Sequence, residues 1–410
     1  MRTRPIDLAK MRVLPLAQRK SLTRIEDILV DPAAAPPRCT DAQAAGVQDC
    51  CARIVAARQR DASVILMYGA HLLRNGAALV LERMMRHGWI THLATNGAGT
   101  IHDWEYSFLG RSTESVEENV ATGTFGTWDE TGRNIQLALL AGGVRDTLSG
   151  GMGERGGADI LSAPTNLQDA DRMSAPLSMG EGYGRALGRF IWEDGASLPA
   201  IDDLLQLIRT QPHHPLTAAR ADLLQALHQH GLASGRVRVE HPWKHGSILA
   251  HAFRHNVPMT VHPGIGYDII TNHPLFNGGV VGRAAQWDFQ WLGGSVDRLD
   301  GGVVLAVGSA IMAPQVFEKN LSCVNNLRQQ AGKPIVKDHT IYVVDLQDGG
   351  NWDWSQGEPP KTNPAYYLRF CKSFSRMGGA MRYVQSDNMV FLRNLWHELE
   401  CVQPPASPLP

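Results

Sequence analysis

Short apolar segments alternate with amphipathic stretches over most of the chain. Ser63–Tyr68 is an apolar run that ends at Gly69, and Leu72–His87 follows it with helical spacing. A second predicted strand, Ile90–Ala94, comes next. An apolar run followed by a glycine and an amphipathic helix is typical of a buried parallel strand that enters a βα unit. Two such units in close succession predict an α/β fold with a Rossmann-like, doubly wound and mostly parallel sheet.

The same pattern returns later in the chain. Ser247–Phe253 has helical spacing, and three further segments have the composition of strands: Val257–Val261, Gly302–Val307 and Thr340–Asp345. Each of these strands ends in small or polar residues, which is where an open α/β sheet places its ligands. Further helices are predicted over residues 181–194, 200–209 and 216–231.

The patterned part of the chain begins after an irregular start. We assign residues 1–40 to an N-terminal arm and linker, either a loose tail or a subunit-contact arm. Residues 41–400 are predicted to form one domain, and residues 401–410 a tail. Within the domain, residues 141–180 are rich in Gly, Ser, Asp and Met and lack periodicity, so we interpret them as a flexible insertion.

The net charge and the amino-acid composition limit the classes of partner that the chain could bind. The formal net charge is -1 and the pI is near 7.0, so no field that attracts polyanions is predicted, and nucleic acid is excluded as a partner. The 41 glycines cluster beside the apolar runs. Glycine lets the backbone approach a ligand closely, as it does in many nucleotide sites.

The six cysteines form no CxxC pair, and the sequence has neither a signal peptide nor an apolar run of about 18 residues. We therefore expect a cytoplasmic protein without a membrane partner.

The first candidate site follows the second predicted strand. Thr95, Asn96, Gly97 and Gly99 stand at its end, and small residues there expose backbone N–H groups to an anion at the N-terminus of the next helix. His102 and Asp103 would lie in the first turn and face the same pocket. The alternative is a tight turn in which Asp103 caps the helix. The block is not a GxGxxG fingerprint.

Two later blocks have a similar layout. Met259–Asp268 contains a strand, a Gly-x-Gly and an acid, and Asp268 would hold a substrate ammonium or a ribose hydroxyl; alternatively it is an N-cap. In Gly301–Ala310, Gly308 and Ser309 would lie at a strand end against a cofactor, or else the segment is a closely packed buried strand.

Histidines raise the question of a metal. Five of them lie between positions 241 and 262, and His251 and His255 have the i,i+4 spacing of one helix face. However, there is no HExxH, and no Cys/His set has zinc spacing, so we predict no metal and interpret these residues as surface or core histidines. The absence of G-x-S-x-G also argues against a serine hydrolase.

Taken in order, five blocks resemble the deoxyhypusine synthase family, in particular its divergent bacterial branch. They are Met67–Gly76, Trp89–Asp103, Ser247–Asp268, Leu299–Phe317 and Met381–Phe391. The resemblance implies a Rossmann-like domain that binds NAD at a subunit interface of a homotetramer. It also implies that NAD takes a hydride from an amine, and that a lysine captures the carbon fragment of the resulting imine as a Schiff base.

Carried over by position, the resemblance implies a set of cofactor contacts, and it places Asp268 on the ammonium of an amine substrate. Together with Asp103, the predicted cofactor-binding residues are Ala70, His71, Thr95, Asn96, Gly97, Gly99, Gly308, Ser309, Ser386 and Asp387.

The sequence departs from the family at its catalytic positions. Lys372 stands where the family has its lysine, after a small length change, and is our candidate nucleophile; alternatively it is a surface lysine. Leu305 and Ala306 stand where the family has its histidine base, so His102 or His71 would have to replace it.

Most of the family's polyamine-binding acids are also missing. The sequence therefore predicts an NAD-dependent oxidoreductase or transferase acting on an amine-bearing small molecule. The alternatives are a dehydrogenase, deaminase or lyase that forms no lysine adduct, or a non-catalytic NAD- or polyamine-binding subunit. Convergence of Lys372, His102 and Asp268 on one pocket would favour the lysine route, and an outward-pointing Lys372 the lysine-free enzyme.

Overall fold

The computed structural model describes residues 3–145 and 179–404. The predicted insertion at 141–180 and the predicted tail at 401–410 lie mostly outside the described residues.

Ten strands are present in the described part of the chain. They are β1 (Thr23–Arg24), β2 (Val64–Tyr68), β3 (His92–Asn96), β4 (Arg111–Ser112), β5 (Gly195–Leu198), β6 (Gly235–Arg238), β7 (Met259–His262), β8 (Val303–Val307), β9 (Thr340–Asp345) and β10 (Ala380–Gln385).

The α-helices of the same residues are α1 (Ile25–Ile28), α2 (Asp41–Gln59), α3 (Ala70–Arg74), α4 (Ala78–Arg86), α5 (Gly97–Leu109), α6 (Val116–Thr122), α7 (Asp129–Gly143), α8 (Tyr183–Trp192), α9 (Ile201–Thr210), α10 (Thr217–Gln229), α11 (Ile248–Arg254), α12 (Gly278–Asp297), α13 (Met312–Gln330), α14 (Arg369–Phe374) and α15 (Asn388–Glu400). The helices predicted from the sequence at 181–194, 200–209 and 216–231 are confirmed as α8, α9 and α10.

Six of the strands form one parallel sheet in the order β10-β9-β8-β2-β3-β7. Counted along the chain, these six have the order 6-5-4-1-2-3, which is that of the doubly wound Rossmann type. The predicted α/β fold class is therefore confirmed. Because the chain leaves β2 for β3 on one side and later returns to β8 on the other, the strand order reverses between β2 and β8. We call this place the switch point.

The central strands are buried on both faces, which is why they are continuous apolar runs in the sequence. All five residues of β2 are inaccessible to solvent. Because side chains alternate along a strand, Val64, Leu66 and Tyr68 join the larger hydrophobic cluster, whereas Ile65 and Met67 join the cluster on the opposite face.

The N-terminal segment is anchored on the body of the same chain. β1 pairs antiparallel with β4, and Leu16 is completely buried. Arg19 donates from both terminal guanidinium nitrogens to Glu105 of α5, at 2.7 and 2.8 Å, and both side chains are 1% exposed. The sequence favoured a loose tail or a subunit-contact arm because it does not reveal a partner 86 positions away.

Among the described residues, no helix has both the length and the apolar character needed to cross a membrane.

Candidate functional site at the carboxyl edge of the sheet

The turns after β2 and β8 meet in backbone contact at the switch point. A Cβ atom on Gly69 would lie 2.5 Å from the carbonyl oxygen of Gly308. Gly308 itself has a φ of 59°, in the left-handed region that favours glycine. A Cβ there would lie 2.5 Å from Nδ2 of Asn388, the first residue of α15. Open α/β sheets bind their ligands in the crevice at this point, so the three residues mark the candidate cofactor site.

Four of the predicted cofactor residues lie next to these turns. Ala70 and His71 begin α3 directly after Gly69. Gly308 ends β8, and the Ser309 hydroxyl accepts a hydrogen bond from the backbone N–H of Ala313 at 3.3 Å, near the start of α13. The structure thus brings the turns after β2 and β8 together at the carboxyl edge of the sheet.

The loop after β10 supplies the next two predicted residues. Ser386 is buried, and the Asp387 carboxylate accepts from the N–H groups of Met389 and Val390 at 2.8 and 3.1 Å, so it caps α15. Asn388, which contacts the switch point, was missed by the sequence analysis. The available signal was its position directly after Ser386 and Asp387 in a block that resembles the family.

The loop after β3 lies beside the switch point. Thr95 donates from its hydroxyl to the carbonyl oxygen of Tyr68 at 3.0 Å, which ties the ends of β3 and β2 together. Gly99 packs against the Thr95 hydroxyl, where a Cβ would not fit. The Asn96 side chain accepts from the N–H of Gly99 at 2.9 Å and caps α5. Residues 95–99 are therefore placed at the carboxyl edge by these contacts.

Asp268 occupies the N-terminus of α5. Its Oδ2 accepts from the N–H of Gly264 at 2.8 Å, its carboxylate also accepts from the N–H of Ala98, and a Cβ on Gly97 would collide with it. Burial raises the pKa of Asp268 to about 6. The helix N-terminus that the sequence offered to a cofactor anion thus already holds a carboxylate of the same chain, and a phosphate there would have to displace it.

One oxygen of Asp268 has no hydrogen-bond partner among the described residues. This atom, Oδ1, is also buried. A buried carboxylate oxygen without a donor is costly, and an ammonium group would supply that donor.

His102 belongs to a relay of hydrogen bonds. Its Nδ1 lies 2.8 Å from the Ser112 hydroxyl, and that hydroxyl donates to Oε2 of Glu105 at 2.5 Å. Because the serine proton goes to the carboxylate, Ser112 must accept from Nδ1–H, which leaves the lone pair on Nε2. Burial lowers the pKa of His102, so the imidazole is neutral at physiological pH. This arrangement suits a proton acceptor.

His102 and Asp268 border the same stretch of α5. Ala98, whose N–H binds Asp268, precedes His102 by four residues, which is about one helical turn. Ala98 and His102 are partly exposed, whereas most of their neighbours on the helix are buried. The structure therefore places Asp268 at the N-terminus of α5 and His102 about one turn further along the same helix.

Asp103 points into the protein interior. It is 1% exposed, and its Oδ2 accepts from the N–H groups of Ile248 and Leu249 at 2.9 and 3.1 Å, which caps α11. Burial raises its pKa to about 7. Asp103 is therefore a helix cap, which was the alternative considered from the sequence. The helix that it caps is α11 rather than α5.

Lys372 lies apart from the other two predicted catalytic residues. It belongs to α14, which packs on α13 and β10, and its Nζ donates to Glu358 at 2.8 Å and lies 3.3 Å from the ring centre of Tyr366. Asp268 lies near β7, at the opposite end of the sheet. Five strand spacings of about 4.8 Å separate these ends by roughly 24 Å. Within one chain, the three residues do not converge.

The comparisons with known proteins give weak matches. No family model matches the sequence, and no curated protein matches it. Among solved structures, AgrE in complex with ornithine and NAD+ has a TM-score of 0.39 and 13% identity, over 88% of this chain and 34% of that chain. A protein assigned to the LOR/SDH group from Methanococcus maripaludis S2 has a TM-score of 0.38 and 12% identity, over 95% and 76%. A protein assigned as a deoxyhypusine synthase from Entamoeba histolytica has a TM-score of 0.40 and 8% identity, over 89% and 91%.

This chain spans about a third of the length of the AgrE chain that it matches. At these scores and identities the likenesses carry no argument. The fold assignment therefore rests on the strand order, and any function on the residues at the carboxyl edge.

Proposed function

We propose that this chain is an NAD-dependent enzyme that oxidises an amine-bearing small molecule. The observation that carries the proposal is the switch point, where the carbonyl oxygen of Gly308 leaves Gly69 no room for a side chain and Asn388 closely approaches Gly308. In a sheet with this strand order, that point is where a dinucleotide is expected to bind. NAD supplies the hydride acceptor for the reaction.

Asp268 supports the choice of an amine as substrate. Its unpartnered Oδ1 is matched by an ammonium donor, and the bond would be charge-assisted. A bound cation would also favour the ionised form of this carboxylate, whose pKa burial has raised.

His102 supports the proposed oxidation because it can accept the proton that the amine loses. When the hydride leaves the carbon next to nitrogen, the C=N bond forms and the nitrogen loses one proton; Nε2 of His102 accepts that proton. The products are an iminium ion and reduced cofactor, and water hydrolyses the iminium to a carbonyl compound and an ammonium. Ser112 and Glu105 hold the imidazole in the tautomer that this step requires.

Lys372 has no role in this scheme. A lysine acts as the nucleophile only where its nitrogen reaches the substrate carbon, whereas Nζ of Lys372 is held by Glu358 and the Tyr366 ring, and within one chain it lies at the opposite end of the sheet from Asp268. We therefore favour the lysine-free enzyme over the Schiff-base transferase.

The experiment is turnover of NAD with a panel of aliphatic monoamines, diamines and basic amino acids, followed by NADH fluorescence. We expect at least one amine to reduce NAD. His102→Asn should lower kcat at least about a hundredfold, as expected for loss of a general base. His228→Asn, on the exposed face of α10, is the matched control and should not change it. If no amine reduces NAD, or if His102→Asn turns over normally, the proposal fails.

Borohydride trapping during turnover distinguishes the two routes. The lysine-free enzyme should gain no substrate mass at Lys372. A reduced adduct at Lys372, lost in Lys372→Ala, would instead establish the Schiff-base transferase.

A further inference from the structure

Two helices on the larger core place three metal-binding side chains together. His251 and His255 are one turn apart at the end of α11, and Glu82 faces them from α4. One ligand atom from each residue lies within 4.8 Å of the other two. The His255 Nε2 and Glu82 Oε1 atoms are already 2.9 Å apart. In a tetrahedral zinc site, ligand atoms about 2.0–2.2 Å from the metal are roughly 3.3 Å from one another, so small side-chain rotations would close the site.

His251 has a nitrogen that nothing in the described chain uses. Its Nε2 lies 2.8 Å from the carbonyl oxygen of His245. A carbonyl only accepts, so Nε2 carries the proton and Nδ1 carries the lone pair. Nδ1 is buried and has no hydrogen-bond partner, and the residue is 5% exposed. A ligand histidine that donates its second ring N–H to a backbone carbonyl is the usual arrangement around protein-bound metals.

The positively charged side chains around the cluster leave the three ligand atoms free to converge. Nearby cations have other contacts: Arg254 stacks on Trp192 at 5.3 Å, and Arg83 approaches Glu82 at 3.9 Å through Oε2 rather than Oε1.

The cluster is separate from the carboxyl edge. α11 leads into β7 at Met259, so His255 lies near the amino ends of the strands, opposite the switch point. A metal here would connect α4 to α11 without taking part in the proposed reaction.

We propose that Glu82, His251 and His255 bind a divalent transition-metal ion of the zinc class, with water in a fourth position. Two imidazoles and one carboxylate are a donor set that suits zinc and cobalt and does not suit magnesium or calcium. His251 coordinates through Nδ1 and His255 through Nε2; the proton that His255 Nε2 donates to Glu82 in the metal-free protein moves to Nδ1 of His255, which stays neutral.

The test uses the full chain without a polyhistidine tag, freed of metal with a chelator and titrated with Co²⁺. The visible absorption of cobalt reports its coordination, and Zn²⁺ should displace it. We expect one equivalent to bind. Glu82→Gln and His255→Gln should each weaken binding at least about tenfold. His228→Gln, whose side chain is exposed on α10, is the matched control and should bind cobalt as the unmodified chain does.

A second measurement keeps the test decisive if a variant fails to fold. Zn²⁺ should raise the Tm of the unmodified chain, because it binds the folded state, whereas Mg²⁺ at the same concentration should not. The proposal is overturned if Zn²⁺ gives no more stabilisation than Mg²⁺, or if the folded Gln variants bind cobalt as tightly as the unmodified chain.

Discussion

Position 69 has no room for a side chain. The carbonyl oxygen of Gly308 fills the space that a Cβ would occupy, and that oxygen belongs to backbone that cannot rotate away. We predict that Gly69→Ala separates the turns after β2 and β8, destabilises the protein by about 1–3 kcal/mol through overpacking, and weakens NAD binding at least about tenfold. Calorimetric titration with NAD and chemical denaturation measure the two effects.

The control for this substitution is Gly282→Ala. Gly282 is exposed within α12, and a Cβ there would meet nothing within 4 Å. Because alanine is the better helix former, this variant should gain up to about 1 kcal/mol and bind NAD normally. Unchanged NAD affinity in folded Gly69→Ala would remove the switch point from the site.

Asp268 predicts a pH dependence of stability. Its pKa is raised from 3.8 to about 6 on folding, so between those values the unfolded state has lost the proton while the folded state keeps it. The free energy of unfolding therefore falls as pH rises through this range. The contribution of Asp268 to the fall levels off above pH 6, at roughly 3 kcal/mol.

In Asp268→Asn, the fall in Tm between about pH 4 and pH 6 should be smaller than in the unmodified chain. Asp103 and Asp288, whose pKa values burial raises to about 7 and about 8, remain in the variant and should maintain the fall at higher pH. An identical pH profile in both proteins would contradict the assignment of a buried, protonatable carboxylate at 268.

Individual site residues were only partly predictable from the sequence. Gly308 and Asp268 stand next to apolar strands, and strand ends are recognisable from pattern. The contact between Asp268 and the N-terminus of α5 is not recognisable, because it depends on how β3 and β7 lie side by side in the sheet. Asn388 shows the same limit, since its approach to Gly308 requires α15 to be in place.

The element with the least sequence signal is the N-terminal segment. Arg19 and Glu105 form a buried ion pair that connects this segment to α5, and Glu105 also accepts from Thr131 and from Ser112 of the His102 relay. Removal of one partner of a buried pair leaves an uncompensated charge. We predict that Arg19→Met destabilises the protein by about 3–5 kcal/mol. It should also lower turnover, because Glu105 would shift and no longer hold Ser112 and His102 in place.

Arg24→Met is the control for that variant. Arg24 pairs with Glu26 on the surface, where the two side chains are 68% and 55% exposed, and the change should cost less than about 1 kcal/mol. Urea denaturation of both variants measures the difference. Equal stability of the two would mean that the N-terminal segment is not anchored by Arg19.

The parallel strands were the most predictable elements. Their two buried faces make β2, β8 and β9 nearly continuous apolar runs, which are evident from composition. β3 contains His92, Thr95 and Asn96 and begins two residues later than predicted. The short helix α14 was not predicted from the sequence. Lys372 lies beside the outer strand β10 because of the order of the strands in the sheet, which no local sequence pattern indicates.

At the scale of the whole molecule, several large apolar side chains at the carboxyl edge face solvent in the single chain. Ile265 and Tyr267 follow β7, and Ile311 follows β8, with exposed fractions of 61%, 71% and 75%. Burial of such side chains between subunits would be favourable. We therefore retain the homotetramer as a prediction. Native mass spectrometry should show four subunits, and Ile311→Asp should shift the protein to smaller species; a monomeric unmodified chain would contradict it.

The central claim is that NAD binds at the switch point between β2 and β8. Hydrogen exchange with and without NAD tests it most directly, because each peptide reports its own protection. We predict that NAD slows exchange in the peptides that cover Gly69–Arg74 and Gly308–Met312, while α10, whose main contacts are with α7 and α9, exchanges at the same rate. Protection that spares both turns, or no protection anywhere at saturating NAD, would contradict the account.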